Sequence, residues 1–380
     1  MTAPSEAALR DIYPGTRGQI YFDSAAIGLV SQPVVEAVSA IVQDHCRLGI
    51  AANEAWRTEI AKTRVLVARL IGGAADRVAF SQNTSTAIAL VINGLDWTEG
   101  DNVVLSEGEF PSNSYPWLAL RRKGVEVRRV RMQNGRSAEK ALVGAVDSRT
   151  RALAVSSVQY SSGYRYDLQF LGAECSRRNT LLVVDGTQSV GALNMRADEW
   201  GIDALCVSAH KWLNGPLGIG FAHFSEKAMN VLHPSVVGWM SVKEPFSFTY
   251  EPDLADDGRR FESGTEIVPG IAGLAATSSL VLEIGTEEVE RIVLKRARSL
   301  EEICLQRGMS SFRSSYDEAH HSGILMVSCS DDATLHRNLI AANVRCSLRA
   351  YGVRLSPHYF NTSADIEQFE GVLSSLTLAA

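Results

Sequence analysis

The apolar run "DALCV" (Asp203–Val207) leads straight into "SAHKWLNGPLGIG" (Ser208–Gly220), which places Lys211 just past what reads as a buried strand. Upstream, "LLVV" runs into Asp185, and "GTQSVG" with Gln188 follows. Taken singly, Lys211 reads as a surface lysine and Asp185 as a turn or cap residue. Together, a carboxylate at one strand end and a lysine at a later one meet the needs of pyridoxal phosphate chemistry. The lysine forms a Schiff base with the aldehyde, and the carboxylate keeps the pyridine nitrogen protonated so that the ring can take up electrons. A phosphate also needs a cradle, and "SQNTSTA" (Ser81–Ala87) offers hydroxyls and backbone N–H groups at the opening of a helix. Ser208 and His210, flanking the lysine, add two further donors, and the glycines after Lys211 allow sharp turns beside a bulky ligand.

These residues need a sheet to bring them together, and the chain carries the pattern of one. Short apolar runs rich in β-branched residues, including "VAFS", "NVVLS", "VEVRRV", "ALAVSSV", "LLVVDG", "ALCVSAH" and "GIGFAHF", alternate with helical stretches from about residue 60. Such runs mark strands buried on both faces of a mainly parallel sheet, and the alternation predicts an α/β fold with helices on both sides. Chemistry in such sheets gathers at the carboxyl ends of the strands, where Asp185 and Lys211 fall. After about residue 235 the rhythm changes to an irregular stretch, two helices near 270–284 and 287–307, and a compact C-terminal α+β unit. The expected division is a large domain over 21–255 and a small one formed by 1–20 with 256–380.

Composition bounds the function. The 380 residues are 46% hydrophobic and 21% charged with a net charge of −6, so there is no dominant basic field for nucleic acid. The basic run Arg121–Arg131 alternates with valines and reads as a solvated sheet edge. The cysteines Cys46, Cys175, Cys206, Cys304, Cys329 and Cys346 form no CxxC pair. No signal peptide or membrane span is read, so a reduced, cytoplasmic chain without a membrane partner is expected. His320 and His321 lack a further ligand at zinc-like spacing and read as loop residues.

"VVDGTQSVG" followed by "SAHKWLNGPLGIGF" closely resembles the class V aminotransferase family of fold-type I pyridoxal phosphate enzymes, which includes cysteine desulfurases and isopenicillin N epimerase-like and kynureninase-like enzymes. The resemblance runs from "YFDSAAIGLVSQPVVEAV" through "FSQNTSTAIAL" and "RFESGTEIVPGIAGLAA" to "GVRLSPHYFNTSADIEQF". It implies that Lys211 binds the cofactor and Asp185 pairs with the pyridine nitrogen. Gln188 and either Gln159 or Tyr160 would touch the phenolic oxygen, and Thr84, Ser85, Ser208 and His210 would bind the phosphate. Thr265 resembles a threonine that reaches the phosphate of a neighbouring subunit, which implies a homodimer with shared sites. Arg354 resembles the arginine that clamps the α-carboxylate of an amino-acid substrate.

Two departures narrow the reaction. "SEGEFPSNSYPW" puts Phe110 where many members carry a ring-stacking histidine, and phenylalanine cannot shuttle a proton. Acid–base steps then fall to Lys211, a tyrosine or the substrate. Cys346 sits in a strand-like run only eight positions before Arg354, without the longer histidine-containing loop of the desulfurases, and reads as a buried thiol. The leading expectation is therefore a lyase, such as β-elimination from a cysteine S-conjugate without a persulfide cysteine. Amino transfer or epimerisation, decarboxylation coupled to oxidative deamination, and a non-catalytic regulator on the same fold are the alternatives. Tyr250, Arg57 and Trp239 are candidates for the substrate pocket.

Overall fold

The computed structural model describes residues 5–131 and 137–376; residues 1–4 and 377–380 of the expected small unit lie outside it. Seven strands form the central sheet: β1 (Val78–Ser81), β2 (Asn102–Ser106), β3 (Glu126–Val130), β4 (Thr150–Ser156), β5 (Leu181–Asp185), β6 (Ala204–Ser208) and β7 (Gly220–Phe224). Their spatial order is β1-β7-β6-β5-β4-β2-β3. All neighbours are parallel except β7, which runs against both β6 and β1. Side-chain alternation splits each apolar run between two cores. Val104, Leu153, Val184, Leu205 and Val207 face one layer, while Val103, Ala154, Val183, Ala204 and Cys206 face the other. Burial on both faces explains why these strands read as continuous apolar runs.

The first layer is closed by α1 (Asn53–Ile71) and the second by α2 (Thr84–Gly94). The sequence suggested that α2 begins at Thr86; it begins two residues earlier, because the Asn83 side chain accepts the Thr86 N–H at 3.0 Å and caps the first turn. The basic run is divided: Arg121, Arg122 and Lys123 close a 3-10 helix, while Arg128 and Arg129 lie on β3, the edge strand, where Arg128 pairs with Glu126 and Asp147. The solvated edge expected from its alternation thus holds for the second half of the run and not for Arg121, Arg122 and Lys123. A second sheet, ordered β10-β11-β9-β8, joins β8 (Ser310–Ser311), β9 (Leu325–Ser328), β10 (Ser347–Arg349) and β11 (Gly352–Leu355) around its own core of Leu300, Val327, Val353 and Phe369. The N-terminal segment joins this unit, since Ile20–Tyr21 pairs in parallel with Val344–Arg345. We propose a two-unit division along these cores; α3 (Val268–Ile284), grouped by sequence with the smaller unit, buries Ile271, Leu274 and Val281 in the larger core. His320 stacks on Tyr164 with ring centres 4.5 Å apart and its Nδ1 bonds the Arg165 carbonyl, so this histidine ties the two units together.

Among the described residues the outer edge of β1 has no strand partner, and side chains take up two of its backbone groups. Arg64 of α1 donates to the Val78 carbonyl at 2.6 Å, and Glu262 accepts the Phe80 N–H at 2.7 Å. The two side chains form a bidentate pair at 2.7 and 3.0 Å, both largely buried. Removing one member strands the other charge in the interior. Arg64→Ala is therefore expected to cost about 3–5 kcal/mol in urea unfolding, and the paired Arg64→Met/Glu262→Gln variant should recover part of that loss.

Candidate active site

The carboxyl ends of the central strands converge because the register aligns them. Ser156 lies opposite Asp185, Asp185 opposite Cys206, and Ser208 opposite Gly220, which in turn faces Ser81. A cavity of about 710 Å³ opens over these ends, lined at its floor by Asp185, Thr187, Gln188, Ser208, His210 and Lys211. The N-terminus of α2 supplies Thr84, Ser85 and Thr86 on one side, and Arg349 and Arg354 come from the smaller sheet. Backbone packs directly on backbone behind the lysine: the Gly28 N–H donates to the His210 carbonyl at 2.7 Å. A Cβ on Gly28 would sit 2.1 Å from the Lys211 carbonyl oxygen, so only glycine permits this approach.

Three hydroxyls form one corner. Thr84 Oγ1 lies 2.6 Å from Thr187 Oγ1 and 2.8 Å from Ser208 Oγ, and the Thr84 N–H donates to Ser208 Oγ at 2.8 Å. They stand at the opening of a helix whose dipole favours an anion. Thr187 also steadies the carboxylate, since its N–H donates to Asp185 Oδ1 at 2.9 Å. Linear reading assigns Thr187 no role, although its position two residues after Asp185 in "DGTQ" places both on one turn. Burial lowers the His210 pKa, aided by the Lys211 charge, which favours a neutral imidazole beside this corner.

Electrostatics set the lysine. Burial is the main cause that brings Lys211 down to about 8, and Arg354 and Arg349 push the same way while Asp185 opposes them. Asp185, buried at the cavity floor, is raised by burial, against which the Thr187 hydrogen bonds and the Lys211 charge act. Lys211 Nζ rests 5.0 Å from the centre of the Phe110 ring, and Phe110 meets Tyr160 edge-on at 5.2 Å. Beneath Phe110, buried Glu109 accepts from the Ser156 N–H and hydroxyl, from Asn113 and from Gln159 at 2.6–2.9 Å. Burial lifts its carboxyl to about 7. In the sequence Glu109 serves only to fix the register of Phe110, because four donors meet at it only in the fold.

The structure separates the two candidates for one contact. Tyr160 lines the cavity, whereas Gln159 points away and donates to Ser106, Glu109 and Tyr166. Gln188 faces the cavity with its amide held by the Ala25 carbonyl at 3.1 Å and the Trp212 N–H at 2.8 Å. Arg354 is 1% exposed; it donates to the Tyr160 carbonyl at 3.2 Å and lies 3.5 Å from Asp23, while its Nε has no partner among the described residues. Thr265 lies in a separate cavity that shares Thr86 with the first. Among the pocket candidates, Arg57 caps the Phe246 ring at 4.7 Å, Tyr250 is fully exposed and Trp239 is 45% exposed; none lines the main cavity.

A buried amine at about 8 becomes neutral as pH rises through that value, well below the 10.4 or so of an exposed lysine. Competitive acetylation of the unliganded protein, read by peptide mass spectrometry, is expected to give Lys211 a midpoint near 8. Asp185→Asn should move it lower still, because the carboxylate is the charge that holds the proton on.

Comparison with known proteins matches this arrangement of elements. The family model for Aminotransferase class-V matches residues 20–369. A "Probable cysteine desulfurase" of Methanothermobacter thermautotrophicus is 28% identical over 387 residues, covering 96% of each chain. A "Cysteine desulfurase" of Salmonella newport is 31% identical across 71% of this chain and 68% of its own. Among solved structures, a cystine C–S lyase in complex with its product cysteine persulfide superposes with a TM-score of 0.87 at 25% identity, covering 96% of this chain and 99% of that one. The apo cysteine desulfurase of Thermococcus onnurineus shares the fold, with a TM-score of 0.87 at 24% identity over 98% of each chain. A match spanning nearly the whole chain, over strands that carry the lysine and the carboxylate, places this protein in the class-V aminotransferase family.

Proposed function

We propose that this chain is a pyridoxal phosphate-dependent C–S lyase that releases a thiol from cysteine derivatives by β-elimination, without passing sulfur to a cysteine of its own. The cavity fits the cofactor by the chemistry of its donors. Hydroxyls of Thr84, Ser85 and Ser208, with His210, suit a phosphate at the start of α2, and enclosed Asp185 suits a protonated pyridine nitrogen. Gln188 and Tyr160 line the same cavity and would be the groups available to the phenolic oxygen. When bound, the cofactor supplies an electron sink for the bond that breaks at the amino acid.

The chain's own groups then divide the work. Arg354, with an unpartnered Nε in a buried position, receives the α-carboxylate as a fork. Lys211 removes the α-proton and holds it within reach of the departing sulfur. Phe110 covers the lysine and carries no proton, so it adds no competing acid. Overall, RS–CH2–CH(NH3⁺)–COO⁻ and water give RSH, pyruvate and ammonium.

The observation that carries the reading is the placement of sulfur. Among the described residues no cysteine lines the cavity, and Cys346 is buried with its thiol pushed up to about 12 by desolvation and Asp23. Such a thiol offers almost no thiolate near neutral pH and makes a poor sulfur acceptor. The names of the relatives, cysteine desulfurase and cystine C–S lyase, supply the C–S chemistry. We also propose a homodimer, because Thr265 stands outside the cavity of its own chain and the exposed aromatics Trp239, Phe246 and Phe248 cluster nearby in sequence.

Thiol and pyruvate are expected in equal amounts from cysteine S-conjugates incubated with the cofactor-loaded protein. Lys211→Ala should lower the rate at least about 10³-fold, whereas Cys346→Ser should stay within about twofold. Loss of thiol release in Cys346→Ser, with a persulfide found on Cys346 of the parent protein, would sink the reading.

A further inference from the structure

The cavity holds two guanidinium groups at different depths, and the reaction proposed above employs one. Arg354 on β11 is 1% exposed, while Arg349 on the antiparallel neighbour β10 is half-buried; both line the cavity. The register explains why they share a face. Ser347 lies opposite Arg354 and Arg349 opposite Gly352, so alternate residues of the two strands present both arginines on one side. Gly352 carries no side chain to cover Arg349, and a Cβ there would sit 2.2 Å from the Val327 carbonyl oxygen.

Arg349 is poorly neutralised. The hydrogen bond described for it runs from Nη1 to the Leu348 carbonyl at 3.0 Å, and among the described residues it forms no ion pair. A carboxylate that feels its charge, Asp23, is engaged elsewhere: it accepts the Ser347 hydroxyl at 2.8 and 2.7 Å and lies 3.5 Å from Arg354. Most of the donors of a five-donor fork thus remain uncommitted beside the substrate cavity. The α-carboxylate already has a bidentate partner in the deeper Arg354. A group bound at the shallower Arg349 must therefore sit further from the cofactor, on the portion of the substrate that leaves with the sulfur.

We infer that Arg349 is a specificity-determining residue that receives a second anionic group, so that the preferred substrates are cysteine derivatives whose S-substituent bears a carboxylate or sulfonate. This rests on the C–S lyase reading, and the test separates the two. S-carboxymethylcysteine and its neutral amide, S-carbamoylmethylcysteine, differ in charge at nearly constant shape. For the cofactor-loaded protein, the ratio of kcat/KM for the acid over the amide is expected to fall about 10- to 100-fold in Arg349→Gln, chiefly through KM, and to recover in part in Arg349→Lys. A ratio that does not change on substitution overturns the inference.

A second measurement requires no turnover. Calorimetry on the same protein with glutarate and butyrate is expected to show at least about tenfold tighter binding of the dicarboxylate, a preference lost in Arg349→Gln. Equal binding of the two acids by the parent protein, or a preference that survives the substitution, counts against Arg349. If the dicarboxylate preference depends on Arg349 but no conjugate yields thiol and pyruvate, the second anion site stands and the lyase reading falls. If conjugates are cleaved with no charge preference, the lyase stands and the inference falls.

Discussion

The site depends on one unfavourable act: enclosing the amine of Lys211 and the carboxylate of Asp185 together at the ends of neighbouring strands. Burial pushes the amine toward its neutral form and the carboxyl toward its protonated form, and their mutual attraction opposes the drift. That tension is useful. An amine at about 8 is close to working pH as a base, while a lysine at its ordinary value would be locked as a cation. Parallel pairing makes the enclosure possible, because it delivers both residues to the same end of the sheet with apolar side chains sealing both faces below them.

Around this pair the polar groups form a continuous support. Thr187 joins Asp185 to the hydroxyl corner, and Ser208 passes the connection to Thr84 at the head of α2. Glu109 performs the same service under Phe110, collecting donors from β4 and from the turn that carries the ring. The smaller unit closes the cavity from above with two arginines whose placement follows from a single antiparallel hairpin. The cavity is thus lined from both sheets, and the histidine–tyrosine stack between His320 and Tyr164 is one of the contacts that hold the two sides in register.

Much of this is legible in the chain before it folds. The apolar runs mark the strands, the "NTST" segment marks the helix start, and Lys211, Asp185, Gln188 and Arg354 can be named from their places at strand ends and from the family resemblance. Local chemistry is enough for such features, since a strand buried on both faces has no choice but to be apolar throughout. What stays hidden are residues whose significance is a matter of convergence. Thr187 and Arg349 look ordinary in a linear reading, and Glu109 serves only as a marker of register. Gln159 and Tyr160 are neighbours in the chain, and which of them faces the cavity depends on how the turn after β4 is held.

The sequence by itself determined the α/β class and the lysine and carboxylate at strand ends, because each is a statement about residue type or periodicity along one segment; Phe110 in the place of a ring-stacking histidine is what the family resemblance implies. Burial of Cys346 was already legible in its strand-like run, whereas tertiary structure alone decided that Gln159 turns from the cavity and Tyr160 toward it, and that a second arginine shares the chamber with the first. Those outcomes follow from pairings between strands far apart in the chain and from the depth at which each side chain loses contact with water, and neither is written in any single stretch of residues.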